Sequence, residues 1–353
     1  MIVQTYFPQR LSAARYDSYL ASGWFRGSVM LYKMDLLCVE NDLFSVVNIR
    51  LNLGNYLHKK RMRKILRKNN SEFRFEIGKA KVDLSRDRLY QLHKKKFKGF
   101  IHNNLSEYLN AGFPRTVFDT KEVAVYDDDR LIAVSYFDNG DTSIASLIGL
   151  YDEEYSSHSL GLYTMLLEIE YAIAAGKKWY YPGYVLDKKS SFNYKLQLGD
   201  YEFYNKNKRW SRFENFQTED TLAFVLKQEH QKLEVAFEKS GFKSKSLLYP
   251  YFSMGYMNFW NVDFLKYPLV QRIENKGMSM VAAYDIEEKS YKLLRVEKAT
   301  QYEQLVNMDM SQEYLENPNY INVLLMEEQL IEDSESAEKI CQRVREIIDS
   351  PFY

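Results

Sequence analysis

Apolar and polar positions change period twice between residues 122 and 184. Glu122–Tyr126 (EVAVY) and Leu131–Phe137 (LIAVSYF) are rich in β-branched and aromatic residues and read as strands, with Asp127–Arg130 as the turn between them. Asn139-Gly140-Asp141 marks a second tight turn, and Thr142–Tyr151 a third strand. A polar loop, DEEYSSHS, follows. The run LGLYTMLLEIEYAIAAG then has the length and spacing of a helix of about four turns, ended by Gly176. Lys178–Tyr184 is the next strand.

Hairpins followed by strand–helix–strand predict an α/β domain with a mixed sheet. The order fits an acetyltransferase-like (GNAT-type) core. Before it, Ser12–Gly23 reads as a capped helix, and FRGSVMLYK (Phe25–Lys33) as one strand. The segment YLHKKRMRKILRK (Tyr56–Lys68) has helical spacing that turns Leu57, Met62, Ile65 and Leu66 inward. After the core come a helix near Thr221–Ser240, an aromatic segment at Tyr249–Tyr267, strands near Met278–Tyr284 and Tyr291–Val296, and a last helix near Ser336–Ile348. The expected division is a small basic α+β domain over 1–75, a catalytic α/β domain over 76–300, and an acidic extension over 301–353.

Charge sharpens this picture. The 353 residues carry 48 Lys/Arg and 48 Asp/Glu, yet residues 1–100 hold 21 basic against 8 acidic side chains, and residues 301–353 hold 3 against 12. A basic N-terminal third suits an anionic partner. Tyr56–Lys68 concentrates Lys59, Lys60, Arg61, Arg63, Lys64, Arg67 and Lys68, which suit a phosphate backbone. His93–Lys98 and Lys206–Arg212 add charge, the latter with Trp210 as a ring on which a base can stack. Read singly, each run is an ordinary solvated face; three of them favour RNA or another polyanion. Two cysteines, Cys38 and Cys341, are too few for a disulfide scaffold or a thiolate metal site. With no apolar leader and no run of membrane-spanning length, the expected place is the cytoplasm, away from the membrane.

Hydrolytic and nucleotide motifs are missing: no G-x-S-x-G, H-E-x-x-H, G-x-G-x-x-G or P-loop occurs. Glu168 and Glu170, two apart on a helix, diverge. The junction Ser157-His158-Ser159-Leu160-Gly161 places a helix start, with its unpaired amides, after a loop, a receiver for anions or a developing oxyanion. The bland reading is a serine cap and a packing glycine. The stretch YYPGYVLDKKSSFNYK (Tyr180–Lys195) gathers phenols and one lysine around a Pro-Gly break.

Taken in order, these pieces resemble the arginyl- and leucyl-tRNA–protein transferases. The resemblance is carried by Leu150-Tyr151-Asp152, Ser159-Leu160-Gly161-Leu162-Tyr163, Tyr181-Pro182-Gly183-Tyr184 and Asn193-Tyr194-Lys195. Tyr6-Phe7-Pro8, Tyr16, Leu20, Gly23-Trp24-Phe25-Arg26, Ser28 and Tyr32 add to it. It implies transfer of an amino acid, arginine favoured over leucine, from aminoacyl-tRNA to the α-amine of a protein beginning with Asp or Glu. It implies catalytic roles for Gly183, Tyr184, Tyr194 and Lys195. Substrate contacts fall to Arg26, Lys59, Lys60, Arg61, Arg63, Lys64, Asp152, Ser159, Gly161, Tyr163, Tyr181 and Trp210. No cofactor is expected: some family members bind an iron–sulfur cluster through N-terminal cysteines, and here only Cys38 lies in that region. The competing readings are a peptidoglycan-type aminoacyltransferase, a small-molecule N-acetyltransferase and a catalytically silent RNA-binding protein.

Overall fold

The computed structural model of the chain describes residues 2–97, 100–257, 261–275, 278–305, 309–310 and 317–350. Lys98 of the second basic cluster, residues 258–260 of the aromatic segment, and residues 306–308, 311–316 and 351–353 of the acidic stretch lie outside them.

Strand β1 (Val3–Tyr6) precedes helix α1 (Ala13–Ala21), whose cap is Ser12: its hydroxyl accepts from the Arg15 amide. The single strand expected from Phe25 to Lys33 is a hairpin instead. Strands β2 (Phe25–Gly27) and β3 (Met30–Met34) pair antiparallel, and Ser28 turns the chain between them at φ 54°. A serine in that region is unusual, so local sequence gives no warning of the turn.

Strands β4 (Leu36–Val39) and β5 (Asp42–Asn52), helix α2 (Lys60–Glu72) and strand β6 (Arg74–Lys79) follow. Next come helix α3 (Leu84–Lys94), the short β7 (Phe100–Ile101), helix α4 (Leu105–Asn110) and the meander β8 (Thr120–Asp127), β9 (Arg130–Asn139) and β10 (Ser143–Tyr151). Helix α5 (Leu160–Ala174) crosses to β11 (Trp179–Tyr181) and β12 (Tyr184–Leu186), and β13 (Tyr201–Tyr204) and β14 (Trp210–Arg212) complete a ten-stranded sheet. Its main order is β14-β13-β5-β11-β10-β9-β8-β6, with β4 and β12 also on β5. Strand β9 is buried along nearly its whole length because it is covered on both faces. Helix α5 is apolar almost all round and is correspondingly sunk in the core. Helix α2 packs only the stripe of Met62, Ile65 and Leu66 against that core. Leu57, expected to join the stripe, precedes the helix and is 85% exposed.

Helix α6 (Leu222–Ser240) leads to an antiparallel sheet in the order β15 (Ser244–Leu248), β16 (Leu269–Asn275), β17 (Met278–Asp285), β18 (Ser290–Lys298) and β20 (Leu325–Ser334). The short β19 (Asp309–Met310) pairs with β7, and helix α7 (Ala337–Asp349) packs with α6 on the second sheet. A further core joins the two sheets, where Ile2, Val3, Leu36 and Leu43 meet Leu247, Tyr249 and Leu265. Two pairings bear on the expected division. Strand β5, from residues 1–75, sits inside the large sheet, and β18 pairs with β20 across residue 300. Among the described residues, no helix is long and apolar enough to cross a membrane.

Candidate active site

The expected strand Lys178–Tyr184 is broken. Ser143, Ile144 and Ala145 of β10 run parallel to Trp179, Tyr180 and Tyr181 of β11. Pro182 withholds a donor and Gly183 takes φ +88°, a conformation that favours glycine. Beyond them β12 stays on β5, pairing Tyr184 with Asn48. β10 stays on β9, with a bulge between Ser146 and Ile148. The two parallel strands therefore part at Leu147 and Gly183, and the sheet opens.

The turn Ser191–Gln197 lies over this opening, fixed by a reciprocal cap between Ser190 and Asn193. It carries Tyr194 and Lys195. The Lys195 ammonium donates to the Tyr184 carbonyl at 3.2 Å and lies 5.5 Å and 5.4 Å from the ring centres of Tyr184 and Phe192. Among the described residues it has no carboxylate partner. Burial lowers it to about 8. Tyr184 stacks on Phe192 and meets Phe25 edge-on, and burial pushes its phenol up, with Tyr32 and Tyr108 adding to the effect. Tyr194 is 42% exposed.

Three residues at the opening carried no signal in the sequence reading as site residues. Tyr108 donates to the Leu147 carbonyl, at the bulge, at 3.3 Å. Tyr32, pushed up to about 12 by burial, shares the Tyr184–Tyr108 neighbourhood. Glu168, on α5, is fully buried and accepts the Tyr180 hydroxyl at 2.8 Å.

The basic helix adjoins the same turn. Arg61 donates to Gln197 at 2.6 Å, and Lys59 reaches the Gly199 carbonyl at 3.3 Å and Asp200 at 3.0 Å. Lys60, Arg63, Lys64, Arg67 and Lys68 are exposed. The start of α5 lies past the end of β10, where a Cβ on Gly161 would stand 3.7 Å from the Tyr151 ring. Ser159 does not cap α5 with its side chain, as the bland reading expects; it takes φ 54° and leaves the helix start uncapped by any hydroxyl.

Other candidates are held by the protein itself. The Arg26 side chain, 2% exposed, pairs with Asp138 at 2.6 Å, donates to Thr120 at 2.6 Å and lies over the Phe118 ring. Asp152 is buried between Arg88 at 2.6 Å and Arg130 at 2.8 Å. The Tyr163 hydroxyl donates to Asn70 at 2.7 Å, tying α5 to α2. Trp210 is not open for stacking: its indole N–H donates to the Ala21 carbonyl at 2.8 Å, and Arg50 is sandwiched between its ring and that of Trp179. Tyr181 completes that cluster, 5.8 Å from Trp210. Cys38 and Cys341 lie buried in separate cores. Among the described residues no three His, Cys, Asp or Glu side chains gather as a metal site, so the residues present do not fit a thiolate-held cluster.

Residues 81–205, which include the opening, match the family model described as arginine-tRNA-protein transferase, C terminus. An aspartate/glutamate leucyltransferase of Leptospira interrogans is 23% identical over 233 residues, 60% of this chain and 89% of that protein. One of Vibrio cholerae is 24% identical over 207 residues, 58% of this chain and 85% of that protein. Among solved structures, the C-terminal domain of a putative lysylphosphatidylglycerol synthetase from Agrobacterium fabrum covers 40% of this chain and 47% of its own at 11% identity, with a TM-score of 0.31.

Proposed function

The chain belongs to the arginyl- and leucyl-tRNA–protein transferase family, and on that premise we propose that it transfers arginine or leucine from aminoacyl-tRNA to the α-amine of proteins beginning with Asp or Glu. One observation carries the reading: the exposed basic helix α2 abuts the turn that holds Tyr194 and Lys195 over the opened sheet. A polyanion on α2 brings its end to the opening.

The chemistry needs little. The ester on tRNA is already activated, and an α-amine with a reference pKa near 8 is a competent nucleophile once deprotonated. The site must align amine and ester and stabilise a tetrahedral oxyanion. In this reading the hydroxyls of Tyr184 and Tyr194 serve the oxyanion. Gly183 lets the acceptor backbone pass, and the unpaired Lys195 ammonium takes the acceptor's acidic side chain. The start of α5 at Ser159–Gly161 and the face Lys59, Lys60, Arg61, Arg63 and Lys64 serve tRNA phosphates. The meander, the β10–α5–β11 crossover and the bulge at Leu147 support an acetyltransferase-like core. A boundary near residue 220, before α6, keeps that helix with the sheet on which it packs.

The test is a transfer assay with leucyl- and arginyl-tRNA and peptides beginning Asp, Glu or Ala. The relatives' names favour leucine, whereas the sequence reading favours arginine, so both donors are run. Transfer from either donor to the acidic peptides is expected. Turnover with acetyl-CoA and no tRNA, or aminoacylation of a cell-wall precursor alone, overturns the reading.

A further inference from the structure

Glu168 has no cation among its partners, although its carboxyl group is wholly inaccessible. One oxygen accepts the Tyr180 hydroxyl, while Oε1 has no hydrogen-bond partner. The buried Ser135 hydroxyl faces the same carboxyl group. Ser146 adds a third hydroxyl to the cluster. These groups come from β9, β10 and β11, beside the place where β10 and β11 part: Ser146 directly precedes the bulge, and Tyr180 stands two residues before Pro182.

A buried carboxyl group without a cation is unfavourable, and an apolar side chain of similar size packs at less cost. The transfer reaction gives such a group a use. As the amine nitrogen attacks, a C–N bond forms and the nitrogen must lose a proton. As the intermediate collapses, the C–O bond to the terminal ribose breaks and that oxygen must gain one. We propose that Glu168 is the proton-holding residue of the transfer reaction, a positioning residue that works through the Tyr180 hydroxyl beside the strand opening and does not touch substrate. It takes the nitrogen proton and returns it to the ribose oxygen, so the cycle balances with no co-reactant. The proton that converts the entering ammonium to amine goes to solvent. This rests on the transferase reading above.

Burial raises the Glu168 carboxyl to about 7, and the Ser135, Tyr180 and Ser146 hydroxyls pull it the other way. Helix α2 and strand β8 face α5 with Met62, Ile65, Leu66, Val123 and Val125, which do not titrate. A group poised near neutrality serves as base and then as acid.

The experiment is the pH profile of kcat/KM for wild type, Glu168→Gln and Tyr180→Phe, with two acceptor peptides whose α-amines differ in pKa. The wild type is expected to rise through a limb near pH 7 that stays fixed when the peptide is changed, besides the limb that follows the amine. Glu168→Gln, nearly isosteric, should lose about 100-fold and lack the fixed limb. Tyr180→Phe, which removes the hydroxyl that carries the proton, should lose the fixed limb as Glu168→Gln does. A Glu168→Gln profile of wild-type shape, at whatever rate, overturns the assignment and leaves Glu168 structural. A fixed limb that persists in Tyr180→Phe, moved or not, overturns the route through Tyr180. A wild type that transfers from no charged tRNA instead brings down the transferase reading itself, before any variant is compared.

Discussion

The Lys195 ammonium sits 3.2 Å from the Tyr184 carbonyl, beside the stacked rings of Tyr184 and Phe192 and with no carboxylate next to it among the described residues. Such a cation is costly when alone and gains when an anion arrives, more than the same pair gains at an exposed surface. Lys195→Ala should therefore lower kcat/KM for peptides beginning Asp or Glu by about 10-fold or more beyond any loss for one beginning Ala. A uniform loss across acceptors moves Lys195 to the tRNA end, and undiminished transfer by a folded variant removes it from the site.

Stability should show the same unpaired charge. The folded Lys195 pKa, about 8, lies below the ordinary lysine value of 10.5. Between these values the unfolded chain binds more protons, so stability rises with pH across the window, and the burden is fully present below pH 8. Lys195→Met should melt higher than wild type at pH 7, by roughly 2 °C or more, and the difference should close as pH approaches 10.5. A difference independent of pH in thermal melts places the effect in packing, not charge.

For helix α2 the readout is salt dependence. Lys60, Arg63, Lys64 and Arg67 are exposed and have no acidic partner among the described residues. Replacing all four by Gln should weaken binding of every tRNA species alike. It should also flatten the slope of log affinity against log salt by about 0.7–0.9 for each phosphate that the helix no longer neutralises. A slope unchanged in the same buffer, with the helix intact by circular dichroism, leaves α2 a solvated face.

The meander and α5 were legible because their signals are local: alternation, Asn-Gly and Asp turns, and an apolar run ended by glycine. Strand β5 was not, since only distant partners, β11, β12 and β13, make it central. The site divides the same way. Tyr184 and Lys195 flank a Pro-Gly break that any reading notices. Tyr108 sits on a short helix whose sequence says nothing about the bulge it reaches. Glu168 was not legible either: it stands four residues from the buried Thr164 and Ala172, whereas Glu170 turns out toward His58. Helical spacing separates the two acids but cannot say which one faces the core.

Arg26 offers a prediction against the resemblance. Its guanidinium is spent on Asp138, Thr120, the Ser28 carbonyl at 2.8 Å and the Leu109 carbonyl, and Tyr16 also donates to Asp138 at 3.1 Å. Arg26→Ala leaves a buried carboxylate unpaired, a change that costs about 3–5 kcal/mol. Denaturant unfolding should show that loss. Arg26→Ala with wild-type stability and a raised KM for tRNA instead returns the residue to substrate binding.

Gly183 and Gly176 make a matched pair for the strand break. Both hold left-handed backbone, at φ +88° and +69°. A Cβ on Gly176 would meet nothing, and one on Gly183 would reach only the Lys195 ammonium at 3.5 Å, an ordinary contact. Neither substitution clashes, so each Ala variant should lose about 1–2 kcal/mol from backbone strain alone. Their activities should differ. Gly176 ends α5, away from the opening. Gly183 holds β12 on β5, its carbonyl accepting the Ile49 amide at 3.3 Å, while β10 departs. Relaxing φ at Gly183 shifts Tyr184 and the carbonyl that anchors Lys195, and a misplacement of about 1 Å at a reacting centre costs on the order of 100-fold. Gly183→Ala should therefore lose most of its kcat/KM at a temperature where both variants are folded, with Gly176→Ala close to wild type. Equal activities, measured per folded molecule, detach the strand break from the chemistry.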